Sequence, residues 1–191
     1  MKKSFNALIV SSYRNFYIKI SSFLEGCGFD EIIHAAGTKQ AQKVLMTKDI
    51  SAIIISSPLA DGNGLDLATY CADRKFYSVL LFAQDELFSQ ITEKAAPRGI
   101  LTLQESTDCL TLSESLIVLT STAKKLLSLE GAEEKQKGKA DELKISGRAK
   151  MILISSFGMS EEQAHKYIEQ RAMEMRKTKN EIALSIINSY G

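Results

Sequence analysis

The sequence predicts an α/β protein: a doubly wound, five-stranded parallel sheet, followed by a helical linker and a small three-helix carboxyl-terminal domain. Three observations predict it. Short β-rich runs alternate with helical patterns at regular spacing through about the first 120 residues. Those runs are continuously apolar rather than alternating, as expected of strands covered by helices on both faces. Past residue 110 the β-rich runs stop and only helical periodicity remains.

The elements follow in order. FNALIV, EIIHAA, SAIIIS, SVLLFA and GILTL are the five strand candidates. YRNFYIKISSFLEGCG, TKQAQKVLMTKD, GLDLATYCADRK and ELFSQITEKAA lie between them and carry helical spacing. Repeated strand–helix units of this length fit an open sheet of flavodoxin-like order, in which chemistry takes place at the carboxyl ends of the strands. The expected boundaries are 1–120 for this domain, 121–142 for the linker and 143–191 for the last domain.

Composition narrows the function class. A formal charge of +1 is not that of a uniformly basic nucleic-acid binder, and the 45% hydrophobic and 25% charged fractions are ordinary for a soluble globular protein. No stretch reaches the roughly 18 apolar residues needed to span a membrane. The amino terminus lacks the apolar core and cleavage site of a signal peptide. Cys27, Cys71 and Cys109 lie far apart, with no zinc-type spacing, and read as small buried hydrophobes of a reducing compartment. A cytoplasmic protein is expected.

The strand ends can be read for catalysis. LADGNGLDL follows the third strand, with Asp61, Gly62, Asn63 and Gly64 forming a turn into the next helix. With the strand–helix repeat, it resembles the receiver domain of bacterial response regulators across nearly the whole segment. By that resemblance an acidic pair belongs where Ser11 and Ser12 stand, and the phosphoacceptor where Ser56 stands. Ala83 replaces the strand-four hydroxyl, Leu103 the strand-five lysine, and Ile100 holds the aromatic switch position. Phosphoryl transfer to a carboxylate needs Mg²⁺, which prefers carboxylate oxygens, and serine hydroxyls are uncharged at neutral pH. Without the lysine and the hydroxyl nothing holds the acyl-phosphate oxygens. The expectation is a pseudo-receiver with no phosphoacceptor and no metal site. No GxSxG, GxxxxGK[ST] or strand-following GxGxxG motif appears, and His34 and His165 are isolated. No enzyme and no cofactor are expected.

From Leu110 the chain turns helical. Leu116, Leu119, Ala123 and Leu126 form a narrow apolar seam that serves equally a coiled-coil dimer or a last helix packing on the sheet. These four residues are the expected dimerisation seam. EGAEEKQKGKADE then reads as a solvated helix or a flexible linker.

The last segment is the best punctuated. Gly158 ends one helix, while Ser160 with Gln163 and Thr178 with Glu181 read as capping boxes opening two more. Ala149, Ile152 and Leu153, then Ala164, Tyr167, Ile168, Ala172 and Met175, then Ile182, Ala183, Ile186 and Ile187 supply three apolar stripes. Tyr167 is read as core.

The pattern AK-x-IL-x(3)-FGMSEEQA-x(7)-AM-x(8)-IA resembles the ANTAR domain of transcription antitermination regulators. Ala149, Lys150, Phe157, Gly158, Ser160, Glu161, Ala164, Arg171, Ala172, Met173 and Ala183 carry the resemblance. It implies recognition of RNA stem-loops in nascent transcripts. Between Lys144 and Gly191, eight Lys/Arg face five acids, a balance of +3. The candidate RNA-binding residues are Arg148, Lys150, Lys166, Arg171, Arg176, Lys177, Thr178 and Lys179, the last four surrounding a helix start that favours phosphate. The reading is a homodimeric antiterminator whose trigger is a ligand-sensing partner protein rather than phosphorylation, binding mRNA leaders and neither DNA nor membrane. Two competitors stay open: a protein–protein adaptor without nucleic-acid binding, and a small-ligand binder at the serine-rich strand ends.

Overall fold

The computed structural model describes residues 3–74 and 76–190. The chain divides into two compact units, Met1–Glu130 and Gly131–Gly191. The first is built on strands β1 (Asn6–Val10), β2 (Glu31–Ala35), β3 (Ala52–Ser56), β4 (Ser78–Ala83) and β5 (Leu101–Gln104). All neighbours are parallel, in the order β2-β1-β3-β4-β5, which is the expected doubly wound arrangement. Helices α1 (Arg14–Leu24), α2 (Thr38–Thr47), α3 (Gly64–Ala72) and α4 (Phe88–Ala95) connect them, and α5 (Cys109–Phe157) follows β5.

Side chains alternate across the sheet and sort into two cores. Leu8, Val10, Ile53, Ile55, Val79 and Leu81 pack with Ala41 of α2, Leu67, Ala68 and Cys71 of α3 and Ala95 of α4. Ala7, Ile9, Ile54, Leu80 and Phe82 pack with Ile20 and Leu24 of α1 and with Leu112, Leu116, Leu119 and Ala123 of α5. Each large side chain so buried contributes about 1.5–3 kcal/mol relative to exposure. This corrects the dimerisation seam. Leu116, Leu119 and Ala123 are at most 2% exposed, and Leu126 is half-buried. Three of the four positions therefore cover the sheet, and the first domain keeps α5 well past residue 120.

Helix α5 is unbroken through the mixed-charge stretch expected as a linker. Its first turn is capped by Asp108, whose carboxylate accepts the Leu110 and Thr111 N–H groups and the Thr111 hydroxyl. Of the cysteines, Cys71 is buried, its thiol pushed up to about 12 by burial. Cys27 is half-buried and Cys109 exposed, so the buried-hydrophobe expectation holds for Cys71 alone.

The second unit comprises the end of α5 with α6 (Glu161–Met175) and α7 (Lys179–Tyr190). Gly158 takes φ +65°, closing α5 with its N–H on the Ile154 carbonyl. Ser160 and Gln163 form the reciprocal capping box that opens α6. Ala149, Leu153, Ala164, Ile168, Ala172, Ile182, Ala183 and Ile186 make the core, flanked by Ile145, Ile152, Met159 and Ile187. Tyr167 and Met175 are outside it, 36% and 51% exposed, correcting their assignment to the apolar stripe.

Candidate nucleic-acid interface

Ser11, Ser12, Ser56 and Ala83 lie at the carboxyl ends of their strands, whereas Ile100 precedes β5, and the Ser11 and Ser12 side chains are occupied in other ways. The Ser11 hydroxyl accepts the Tyr13 N–H and donates to the Tyr13 carbonyl. The Ser12 hydroxyl donates to the Ala36 carbonyl and accepts the Ala60 N–H. Both serines are loop staples. Ser56 ends β3 and is 2% exposed; Ala83 is fully buried, Ile100 and Leu103 nearly so. Asp61, in the loop after β3, accepts the Thr38 and Lys39 N–H groups at 2.7 and 3.1 Å. These bonds hold its carboxyl below the usual aspartate range and make it a cap for α2 supplied from a distant loop. Gly37 leaves the room this carboxylate occupies, and a Cβ there would displace the Asp61 side chain from its cap.

A cavity of about 270 Å³ opens beside these strand ends, lined by Tyr13, Phe16, Ser56, Phe82, Gln84 and Glu105 among others. Burial, then the negative Asp85 and Glu86, push the Glu105 carboxyl up. Among the described residues, no group of three or more His, Cys, Asp or Glu is placed to hold a metal ion. His34 lies against the Tyr17 ring with Nε2 3.0 Å from the Ser11 carbonyl.

The second unit gathers the RNA-binding candidates into two classes. In the first, each cation meets an acid. Lys150 pairs with Glu161 at 2.8 Å, Lys166 with Glu162 at 2.9 Å, Arg171 with Glu174 at 3.6 Å, and Lys179 with Glu169. Lysine pairing accordingly holds the Glu161 and Glu169 carboxyls below the usual glutamate range. In the second class, the side chains of Arg148, Arg176 and Lys177 make no hydrogen bond or ion pair to a described residue, and the Lys144 side chain shares this state. Lys177 nevertheless lies near enough to Glu181 to help the Thr178 hydrogen bonds hold that carboxyl below the usual glutamate range.

The turn between α6 and α7 carries two of these unpaired cations. Arg176 takes φ +52°, ψ 40°, the left-handed conformation that glycine normally supplies at a helix end. The Lys177 N–H closes the turn on the Ala172 carbonyl. Thr178 and Glu181 then form the second capping box. The Thr178 N–H and hydroxyl donate to the Glu181 carboxylate at 2.8 and 2.9 Å, and the Glu181 N–H donates back to the Thr178 hydroxyl. The helix start expected to attract phosphate is therefore already occupied by a carboxylate of the chain.

Sequence reasoning missed Tyr167 as a surface group. Its ring lies beside the Arg171 guanidinium, 6.0 Å from centroid to carbon, and together with Gln170 and Glu174 it lines a shallow cavity of about 240 Å³. The available signal was that a tyrosine beside Ile168 sits at the margin of the stripe, where an amphipathic ring readily faces water.

Comparison with known proteins finds relatives for both units. The ANTAR domain family matches residues 134–187. The Transcriptional regulatory protein PdtaR of Mycobacterium tuberculosis is 22% identical over 175 residues, spanning 90% of this chain and 84% of that protein. Among solved structures, the signal receiver domain of an HD domain-containing protein from Pseudomonas fluorescens Pf-5 superposes with a TM-score of 0.56 at 17% identity. It covers 65% of this chain and 93% of that one. The chemotaxis response regulator CheY4 of Vibrio cholerae gives 0.53 at 16% identity, covering 61% and 99%. Residues 134–187 thus match the ANTAR domain family, and the amino-terminal unit has the fold of response-regulator receiver domains.

Proposed function

We propose that this chain is an RNA-binding transcription antitermination regulator that recognises stem-loops in nascent transcripts and is controlled without aspartate phosphorylation. The observation that carries the reading is the α6–α7 turn. It holds two exposed cations, Arg176 and Lys177, without ion-pair partners, one of them on left-handed backbone where arginine is disfavoured by about 1–2 kcal/mol. Strain of this kind points to a residue kept for contact rather than for folding. Arg148 on α5 supplies a further unpaired charge.

The amino-terminal unit serves, in this reading, as an interaction platform. Ser56 at the acceptor position and serines in place of the acidic pair leave a ligand-sensing partner protein as the trigger. A homodimer would present two modules to two adjacent stem-loops and raise avidity through effective concentration. It would have to form through a surface other than Leu116, Leu119 and Ala123, which are buried. The expected compartment is the cytoplasm; no helix among the described residues is long and apolar enough to cross a membrane.

A titration of the full chain against stem-loop RNAs and matched duplex DNA, at several salt concentrations, tests the proposal. Selective, salt-sensitive RNA binding that the double variant Arg176→Glu, Lys177→Glu abolishes supports it. Binding that ignores both the nucleic acid and the charge reversal refutes it and favours a protein–protein adaptor. Stable, Mg²⁺-dependent modification by a phosphodonor would overturn the phosphorylation-independent part.

A further inference from the structure

Helix α6 carries four neighbouring side chains that the charge argument does not use. Tyr167, Gln170, Arg171 and Glu174 recur at three- and four-residue spacing and line one shallow cavity. We propose that this cavity receives one unpaired base of the RNA loop, stacked on the Tyr167 ring and held at its edge by Arg171, Gln170 and Glu174. The inference rests on the RNA-binding reading and deepens it.

The chemistry favours a neutral, planar ligand. Tyr167 is 36% exposed and lies outside the hydrophobic core, with the Arg171 guanidinium over its ring at 6.0 Å from the centroid, so a base would share the ring with that plane. The Arg171 guanidinium stands beside that ring, and such planes accept stacked bases as aromatic rings do. Arg171 is at the same time offset by Glu174, 3.6 Å away, which makes this a poor seat for phosphate. Gln170 donates to the same carboxylate at 3.1 Å. The edge of the cavity thus offers donors from Gln170 and Arg171 and an acceptor from Glu174. These are the groups that read base edges through paired hydrogen bonds. The Glu174 acceptor gives a partner to the N–H that every base carries on its Watson–Crick edge.

The polar side chains of the site also contact one another. Arginine and glutamine side chains lose up to about 2 kcal/mol of rotamer entropy on immobilisation. Here Gln170 already donates to Glu174, and Arg171 lies 3.6 Å from the same carboxylate. Preorganisation of this sort lowers the ordering penalty of binding.

The test uses the full chain and the hairpin that binds it most tightly from a pool of randomised loops. Tyr167→Phe keeps the ring and should hold affinity within about threefold, whereas Tyr167→Ala should lose about five- to 150-fold, the range of one base–aromatic stack. One abasic loop position should weaken wild type by a similar factor and add nothing in Tyr167→Ala. 2-Aminopurine at that position should be quenched on binding to wild type and to Tyr167→Phe. The 2-aminopurine readout does not depend on the alanine variant folding. Tyr167→Ala binding as tightly as wild type, or no loop position quenched by wild type, overturns the base site alone. Failure of wild type to bind any hairpin overturns the RNA reading and this site with it.

Discussion

Arg176→Gly removes a cation from the α6–α7 turn at a position whose backbone already has glycine-like geometry. With φ +52° and ψ 40°, an L side chain there is disfavoured by about 1–2 kcal/mol, while glycine's larger unfolded-state entropy returns about 0.5–1 kcal/mol of that. The net expectation is a gain of about 0.5 kcal/mol. For a small unit, at about 4–8 °C per kcal/mol, the melting temperature rises by roughly 2–4 °C. RNA affinity should move the opposite way. If Arg176 meets one phosphate, its loss lowers the slope of log K against log salt by about 0.7, which at 0.1 M salt is about a fivefold loss. Far-UV circular dichroism melts and RNA titrations at four salt concentrations measure the two effects on the same preparation. A variant that is more stable and binds less tightly, with the shallower slope, is expected. A variant with unchanged affinity and slope would show that Arg176 touches no phosphate and would remove the main support for the interface.

Two further perturbations address the first unit. Leu119→Ala empties a site that is 1% exposed between α5 and the sheet and should cost about 2–5 kcal/mol. Its urea midpoint should fall by the same amount at protein concentrations tenfold apart; a drop that depends on concentration would revive the dimer seam. Asp61→Asn tests the cap on α2. The Asp61 carboxyl titrates below its ordinary value of 3.8 when folded, because the Thr38 and Lys39 N–H groups favour its charged form. Its stabilisation is therefore present above the unfolded value and lost as pH falls through the folded one. The acid side of the melting-temperature profile should flatten in the variant, and an unaltered profile would show that the cap is energetically silent.

The sheet was legible because its central strands are covered on both faces. NALIV and AIIIS are buried at every position, and unbroken apolar runs of that length have few other uses. The seam on α5 was ambiguous for a physical reason: a helix packing on a sheet and a helix packing on its twin both need apolar residues every three or four positions. Periodicity gives a direction around the helix but not what lies in that direction. Tyr167 was misplaced because it lies one residue, about 100° of helical turn, from the buried Ile168. The pairing of cations was partly hidden. Lys166 with Glu162 follows from i, i+4 spacing, whereas Lys150 with Glu161 and Lys179 with Glu169 join different helices and emerge only when the three helices pack. The capping boxes, being local, were readable in full.

Those ion pairs have a consequence for how tightly the module can grip a polyanion. A carboxylate beside a lysine acts as a tethered counterion, present at a local concentration that no buffer salt matches. Phosphate reaching Lys150, Lys166, Arg171 or Lys179 must displace a group that is covalently part of the protein and cannot diffuse away. Eight cations counted from the sequence would give a salt exponent of about 6, and the four without partners give about 3. If the module binds RNA as proposed, it would be weakened toward arbitrary nucleic acid, and discrimination would pass from charge to the shape and exposed bases of the loop.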